Sequence, residues 1–157
     1  MCGIMGYSGK RSCLPILLDG LERLEYRGYD SAGVAWPEKE DFRVTKAQGR
    51  LANLRALLAK QPPADAVCGI GHTRWATHGA PSDRNSHPHL SDSGKVAVVH
   101  NGIIENEARL REMLEGWGVQ FHSETDTEVL AHLLDYYYKG NPLEAITKVM
   151  HRVEGSY

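Results

Sequence analysis

Leu14, Leu17, Leu18, Leu21 and Leu24 recur at three- and four-residue steps, which predicts an amphipathic helix over 14–25. Leu51, Leu54, Leu57 and Leu58 mark a second helix that stops before Pro62-Pro63. Leu110, Met113, Leu114 and Trp117 mark a third, closed by Gly118. Val129, Leu130, Leu133, Leu134 and Tyr137 mark a fourth, and Thr125 with Glu128 fits a capping box at its start. Pro142 suits the first turn of a last helix that carries Ile146, Val149, Met150 and Val153 and ends at Gly155.

Between the helical stripes the pattern shortens to strand lengths. Residues 2–8 read as a strand whose two glycines allow close backbone approach. Ala32–Trp36 and Phe42–Lys46 read as a pair joined by the polar loop Pro37–Asp41. Val67–Thr73 is a further strand, and the polar stretch from Arg74 to Ser93 after it is long enough to imply a functional loop. Lys95–His100 lacks polar alternation, so a strand covered on both faces is expected there. Val119–His122 reads as a short strand. Two-faced strands interleaved with amphipathic helices, with hairpin-length links, predict an α+β sandwich with the helices outside.

Composition narrows the function. The 157 residues suit one domain, and 18 basic against 20 acidic residues leave a net charge of −2. That balance argues against nucleic acid or a membrane surface as partner. No apolar run is long enough to span a bilayer and no signal-peptide pattern opens the chain, so the expected location is cytoplasmic. Cys2, Cys13 and Cys68 are an odd set at unrelated spacings and read as reduced thiols. Eight histidines, His87 and His89 among them, have no matching pair at metal-ligand spacing, and no phosphate-binding glycine loop appears. Neither a metal nor a cofactor is expected.

Four places carry candidate chemistry. Cys2 follows the initiator Met, and removal of Met1 would leave a thiol and a free α-amine on one residue. A free amine titrates near ~8 and a free thiol near ~8.5, so each lies close to working pH. N-terminal nucleophiles are activated in this way, with the amine as proton acceptor. Gly71–Gly79 is the densest polar cluster: Arg74 offers a planar fork for a carboxylate, with Thr77 and His78 beside it, or the segment is a solvated loop. Asn101-Gly102 reads either as a turn or as an amide and a backbone N–H converging on an oxyanion. Ser123–Asp126 supplies helix-capping residues, and Asp126 is also suited to a substrate ammonium.

Taken together and in order, MCGI, LERLEYRGYDSAG, GHTRWATHG, HPH, VVHNGIIEN and SETDTEV resemble the class II glutamine amidotransferases. The resemblance runs from Cys2 to Tyr157. Its YRGYDSAG and RWATHG blocks are similar to those of the branch that delivers ammonia to a sugar phosphate. It implies an αββα N-terminal-nucleophile hydrolase, with two antiparallel sheets between two helical layers, acting on L-glutamine. It implies that Cys2 is the nucleophile and that Asn101 and Gly102 form the oxyanion hole. Arg74, Thr77 and His78 would hold the substrate carboxylate and Asp126 its ammonium. Arg27 would help order the N-terminus, and Trp75 would close over the site. It also implies that residues 1–157 are an incomplete glutaminase domain, followed by further strands and by a sugar isomerase domain through which the protein forms homo-oligomers. The alternatives are the glutaminase of another amidotransferase, which the sequence after Tyr157 would distinguish, and a non-enzymatic glutamine-binding module. The intact set Cys2, Arg74, Asn101 and Asp126 speaks against the last.

Overall fold

A computed structural model describes residues 2–61, 65–75 and 79–157. Strand β1 (Gly3–Ser8), helix α1 (Cys13–Leu24), β2 (Ser31–Glu38), β3 (Asp41–Gln48), α2 (Leu51–Leu58) and β4 (Cys68–Arg74) come first. They build a four-stranded antiparallel sheet in the order β1-β4-β2-β3. Met5 and Tyr7 of β1, and Ala32, Val34 and Trp36 of β2, face the helices because side chains alternate along a strand. They pack with Leu17 and Leu21 of α1 and Leu51 and Leu54 of α2 into one apolar core.

The rest of the chain forms β5 (His89–Leu90), β6 (Ala97–Val98), β7 (Ile103–Ile104), α3 (Glu107–Gly116), α4 (Thr127–Tyr137), α5 (Pro142–Met150) and β8 (Gly155–Ser156). β5 pairs with β6 and β7 with β8, both antiparallel. Leu110 and Leu114 of α3, Val129, Leu130 and Leu133 of α4, and Val149 of α5 close a second apolar core around Ile104 and Val153. α4 packs on the β5–β6 ribbon, so the layers run helices, sheet, ribbon, helices. The α+β sandwich with helices outside is the expected one. The inner layer between the sheets is polar: Ser31, His72, Arg74, Asn85, Ser86, His87 and His89 are all buried in it. No helix among the described residues is long and apolar enough to cross a membrane.

Several expectations change. The strand expected over Lys95–His100 is confined to Ala97–Val98, and its residues are half-buried rather than covered on both faces. Its ends bond elsewhere: Val96 N–H donates to Ser91 Oγ, and His100 N–H donates to the His87 ring. Val119–His122 joins no ladder, because the amides of His122 and Ser123 donate to the Glu128 carboxylate. The same carboxylate is thereby taken away from Thr125, and the capping box does not form; α4 starts at Thr127 without a side-chain cap. The last helix ends at Met150, and Gly155, at φ +126°, belongs to β8 opposite Ile104. The first hairpin is tighter than expected, with Glu38 paired to Asp41 around Lys39 and Glu40.

Candidate active site

Cys2 precedes β1 at the end of the sheet where β4 runs out at Arg74, since β1 and β4 pair from Gly3↔Thr73 onward. The register sets the thiol against the next residue of β4's exit: Trp75 N–H donates to Cys2 Sγ at 3.3 Å, and the Trp75 carbonyl lies 3.6 Å from the sulfur. The Arg27-Gly28 corner supports this exit from below. A Cβ at Gly28 would lie 2.7 Å from the Arg74 carbonyl carbon and 3.0 Å from Trp75 N, so only glycine lets the two segments touch. Asp30 N–H then donates to the Arg74 carbonyl at 3.2 Å. Arg27 ends a short 3-10 turn and does not line the cavity that Cys2 faces. The indole of Trp75 is 48% exposed and meets Tyr29 edge-on, with centroids 5.5 Å apart.

Cys2, Arg74, Trp75, Asn101, Gly102 and Asp126 line one cavity of about 380 Å³, which is near the lower end of the range for small-molecule pockets. Four separate stretches of chain supply them. Arg74 is 3% exposed, and its Nη2 donates to the Gly79 carbonyl at 3.0 Å. Asp126, 6% exposed, accepts Ile104 N–H on Oδ2 at 2.8 Å. Asn101 Nδ2 donates to the Cys2 carbonyl at 3.4 Å. At Gly102 a Cβ would lie 2.0 Å from the Ser156 carbonyl oxygen and 2.7 Å from His100 Nε2, so a side chain there would push the turn out of place. Thr77 and His78 lie outside the described residues, as does Met1.

The same cavity is lined by residues to which the sequence reading gives no role in the site: His87, His100, Ile103, Thr125, Thr127 and Ser156. His100 Nε2 donates to the Ser156 carbonyl at 2.9 Å, and its Nδ1 lies 3.1 Å from Thr127 Oγ1. Its ring therefore ties the Asn101-Gly102 turn to both α4 and β8. Its place directly before Asn101 was the available signal. His87 accepts the His100 amide on Nδ1 and stacks on His72 with centroids 4.2 Å apart. Burial, aided by the nearby His72, His89 and Arg74, holds His87 well below the ordinary imidazole range. Burial likewise takes His72 down to about 3. The His72 and His87 rings are uncharged at neutral pH. Arg74 supplies a guanidinium and Asp126 a carboxylate to the described wall.

Two side chains outside the cavity fix the turn that carries Asp126. Arg111 of α3 donates to the carbonyls of Ser123 (3.3 Å) and Thr125 (3.0 Å), pairs with Glu107, and lies 4.1 Å over the Phe121 ring. Glu128 grips the other side through His122 N–H, Ser123 N–H and Ser123 O–H. Burial alone would raise the Glu128 pKa. Hydrogen bonds from His132, Ser123 and the His122 amide outweigh it and bring the group to about 2.

A family model described as a glutamine amidotransferase domain matches residues 72–157. Glutamine–fructose-6-phosphate aminotransferases (isomerizing) from Clostridium tetani and from Caldanaerobacter subterraneus subsp. tengcongensis are 59% and 60% identical to the chain over 157 residues. The chain is covered completely in each case and spans 26% of the relative's length. Two solved structures share its fold over its whole length. One, of a glutamine phosphoribosylpyrophosphate amidotransferase from B. subtilis complexed with ADP and GMP, has a TM-score of 0.81 at 28% identity. The other, of an allosteric regulatory enzyme of purine biosynthesis, has a TM-score of 0.84 at 29% identity, and 34% of each solved chain is covered.

Proposed function

The chain belongs to the glutamine amidotransferase family and has the αββα fold of the N-terminal-nucleophile amidotransferases, and from that premise we propose that it is the glutaminase module of an enzyme that delivers ammonia to fructose 6-phosphate. The observation that carries the reading is the convergence of Cys2, Asn101-Gly102, Arg74 and Asp126 on one cavity. Glutamine at neutral pH is a zwitterion, so its recognition asks for one cation and one anion on the same wall. Arg74 takes the α-carboxylate as a fork takes two oxygens, and Asp126 takes the α-ammonium. The reading also assigns carboxylate binding to Thr77 and His78, which lie outside the described residues. Identity twofold higher to the fructose-6-phosphate aminotransferases than to the phosphoribosylpyrophosphate enzyme supports the sugar-phosphate acceptor.

The chemistry follows from the Cys2 position once Met1 is removed. The sulfur attacks the side-chain amide carbon of glutamine, and the α-amine of the same residue accepts the thiol proton. The carbonyl oxygen becomes an oxyanion between Asn101 Nδ2–H and Gly102 N–H. Asn101 Nδ2 leaves its long bond to the Cys2 carbonyl to reach that oxygen, as donors in empty sites often tighten only on the reacting complex. Collapse of the intermediate breaks the C–N bond. The α-ammonium returns its proton to the leaving group, and ammonia departs. Water then hydrolyses the thioester and releases glutamate. Trp75, exposed at the mouth, covers the occupied cavity, and Arg27 supports the corner beneath Trp75. The reading includes the rest of a glutaminase domain and a sugar isomerase domain beyond residue 157, self-association through that domain, and a cytoplasmic setting.

The experiment is a glutaminase assay on the full chain, with mass spectrometry of its N-terminus. Active protein should have lost Met1. Cys2→Ala should abolish hydrolysis and leave glutamine binding measurable, and Asn101→Ala should lower kcat by about 10²–10³, the usual loss for one oxyanion donor. Hydrolysis by Cys2→Ala, or a change confined to KM in Asn101→Ala, would remove these residues from their roles.

A further inference from the structure

A zwitterionic ligand needs its two receptors at a fixed span, and Arg74 and Asp126 lie on segments far apart in sequence. Asn85 joins them. Its side chain is 2% exposed, and all of its polar groups are engaged. Oδ1 accepts Glu124 N–H at 3.0 Å, while Nδ2 donates to Glu124 Oε2 and to the Ala80 carbonyl, both at 3.0 Å. Its own amide donates to Ser82 Oγ at 3.1 Å, which fixes where the side chain starts.

On one side of Asn85, Ala80 adjoins Gly79, whose carbonyl accepts the Arg74 guanidinium. Gly79 is closed down on the same amide. Its φ is +74°, and a Cβ there would lie 2.7 Å from Asn85 Nδ2 and 3.3 Å from Glu124 Cβ. On the other side, Glu124 opens the turn that delivers Asp126 and is held by Arg111 and Glu128. The path from the cation to the anion thus runs Arg74, Gly79–Ala80, Asn85, Glu124, Asp126.

We propose that Asn85 is a positioning residue that sets the distance between the carboxylate-binding and ammonium-binding sides of the cavity, and so selects a ligand bearing both charges. It does not line the cavity and acts only through its two neighbours. The inference rests on the glutaminase reading above. A receptor for one charge works wherever it sits, whereas two receptors serve one zwitterion only at the right separation. Loosening Asn85 therefore penalises the doubly charged ligand selectively.

The test compares wild type, Asn85→Ala and Asn85→Asp in the full chain. Three ligands of matched length are used: L-glutamine, glutaramate, which lacks the ammonium, and 4-aminobutyramide, which lacks the carboxylate. Asn85→Asp keeps the volume and the acceptor for Glu124 N–H but loses both donors. The KM for glutamine should rise about tenfold with kcat held within about threefold, the signature of lost binding rather than lost chemistry. Inhibition constants of the two single-charge ligands should move by less than about twofold. Adding Glu124→Gln to Asn85→Asp supplies a new donor across the pair and should recover about threefold of the glutamine affinity. Equal losses for all three ligands would make Asn85 a general stabiliser and overturn the proposal, as would an unchanged glutamine KM in both variants. If Asn85→Ala loses its thermal transition, the isosteric Asn85→Asp decides. A wild-type chain that hydrolyses no glutamine removes the reading of the cavity and this proposal with it, whereas hydrolysis with unaltered selectivity removes only the proposal.

Discussion

Replacing Glu128 by Gln tests what holds the Asp126 turn. The carboxylate is 2% exposed. It accepts His122 N–H at 2.7 Å, Ser123 N–H at 2.7 Å and Ser123 O–H at 2.6 Å, with His132 Nε2 at 3.5 Å. One oxygen serves His122 and the other serves Ser123 twice, so an amide must turn its NH₂ toward groups that also donate. The fall in pKa from 4.5 to about 2, at about 1.4 kcal/mol per unit, makes the ionised group worth roughly 3 kcal/mol to folding. Because the folded value is the lower one, that contribution is complete above pH 4.5 and is lost as pH falls toward 2. Glu128→Gln should therefore destabilise by roughly 3 kcal/mol at pH 7 and by little near the acid end of that window. Denaturant unfolding over a pH series measures it, and hydrogen exchange at the His122 and Ser123 amides localises it. A loss below about 1 kcal/mol at pH 7, or one that stays constant down to the acid end, would refute the account.

Asp126→Asn keeps an oxygen for Ile104 N–H but turns an amide NH₂ into the cavity, so calorimetric binding of glutamine on the Cys2→Ala background should weaken about tenfold or more; unchanged affinity would remove Asp126 from the ammonium role. His72 is kept neutral in the fold by burial, at about 3 against an ordinary 6.5. Stability should accordingly be full above pH 6.5 and decline as pH falls from there toward 3. His72→Phe keeps the stack on His87 and should flatten part of that decline, while parallel stability–pH curves for variant and wild type would sink the idea.

The leucine periods announced the fold because they mark apolar burial, which is a local property of sequence. Leu17, Leu21, Leu54, Leu114 and Leu133 are fully buried where the periodicity put them. The failures share a different cause. Lys95–His100, Val119–His122 and the Thr125–Glu128 box are local sequence patterns. In each, a backbone or side-chain group bonds to a buried polar partner that the local pattern cannot announce. The His100 amide goes to a histidine ring, and the His122 amide to a carboxylate at the start of the next helix. A hydrophobic pattern says which face is inside; it is silent about a polar inside, and the layer between the sheets is one.

The candidate site was legible to the depth of its chemistry and no further. A thiol behind the initiator Met, an Asn-Gly pair, an Arg at the end of a strand and an Asp before a helix are conspicuous because few residue types suit the roles proposed for them. The groups that aim them are ordinary. Asn85, Arg111 and Glu128 would pass as surface residues in composition, yet each satisfies backbone groups of a turn that presents a charge to the cavity. Among the histidines, His72 stacks on His87, and His87 and His100 hydrogen-bond inside the protein. A buried imidazole such as His87 can accept an amide in a narrow polar layer, and burial there holds it neutral. Precision in such a site is thus distributed over contacts that touch no ligand. Substitutions there should shift binding and selectivity while leaving the reacting groups in place, which is how the supporting shell can be told apart from the chemistry it serves.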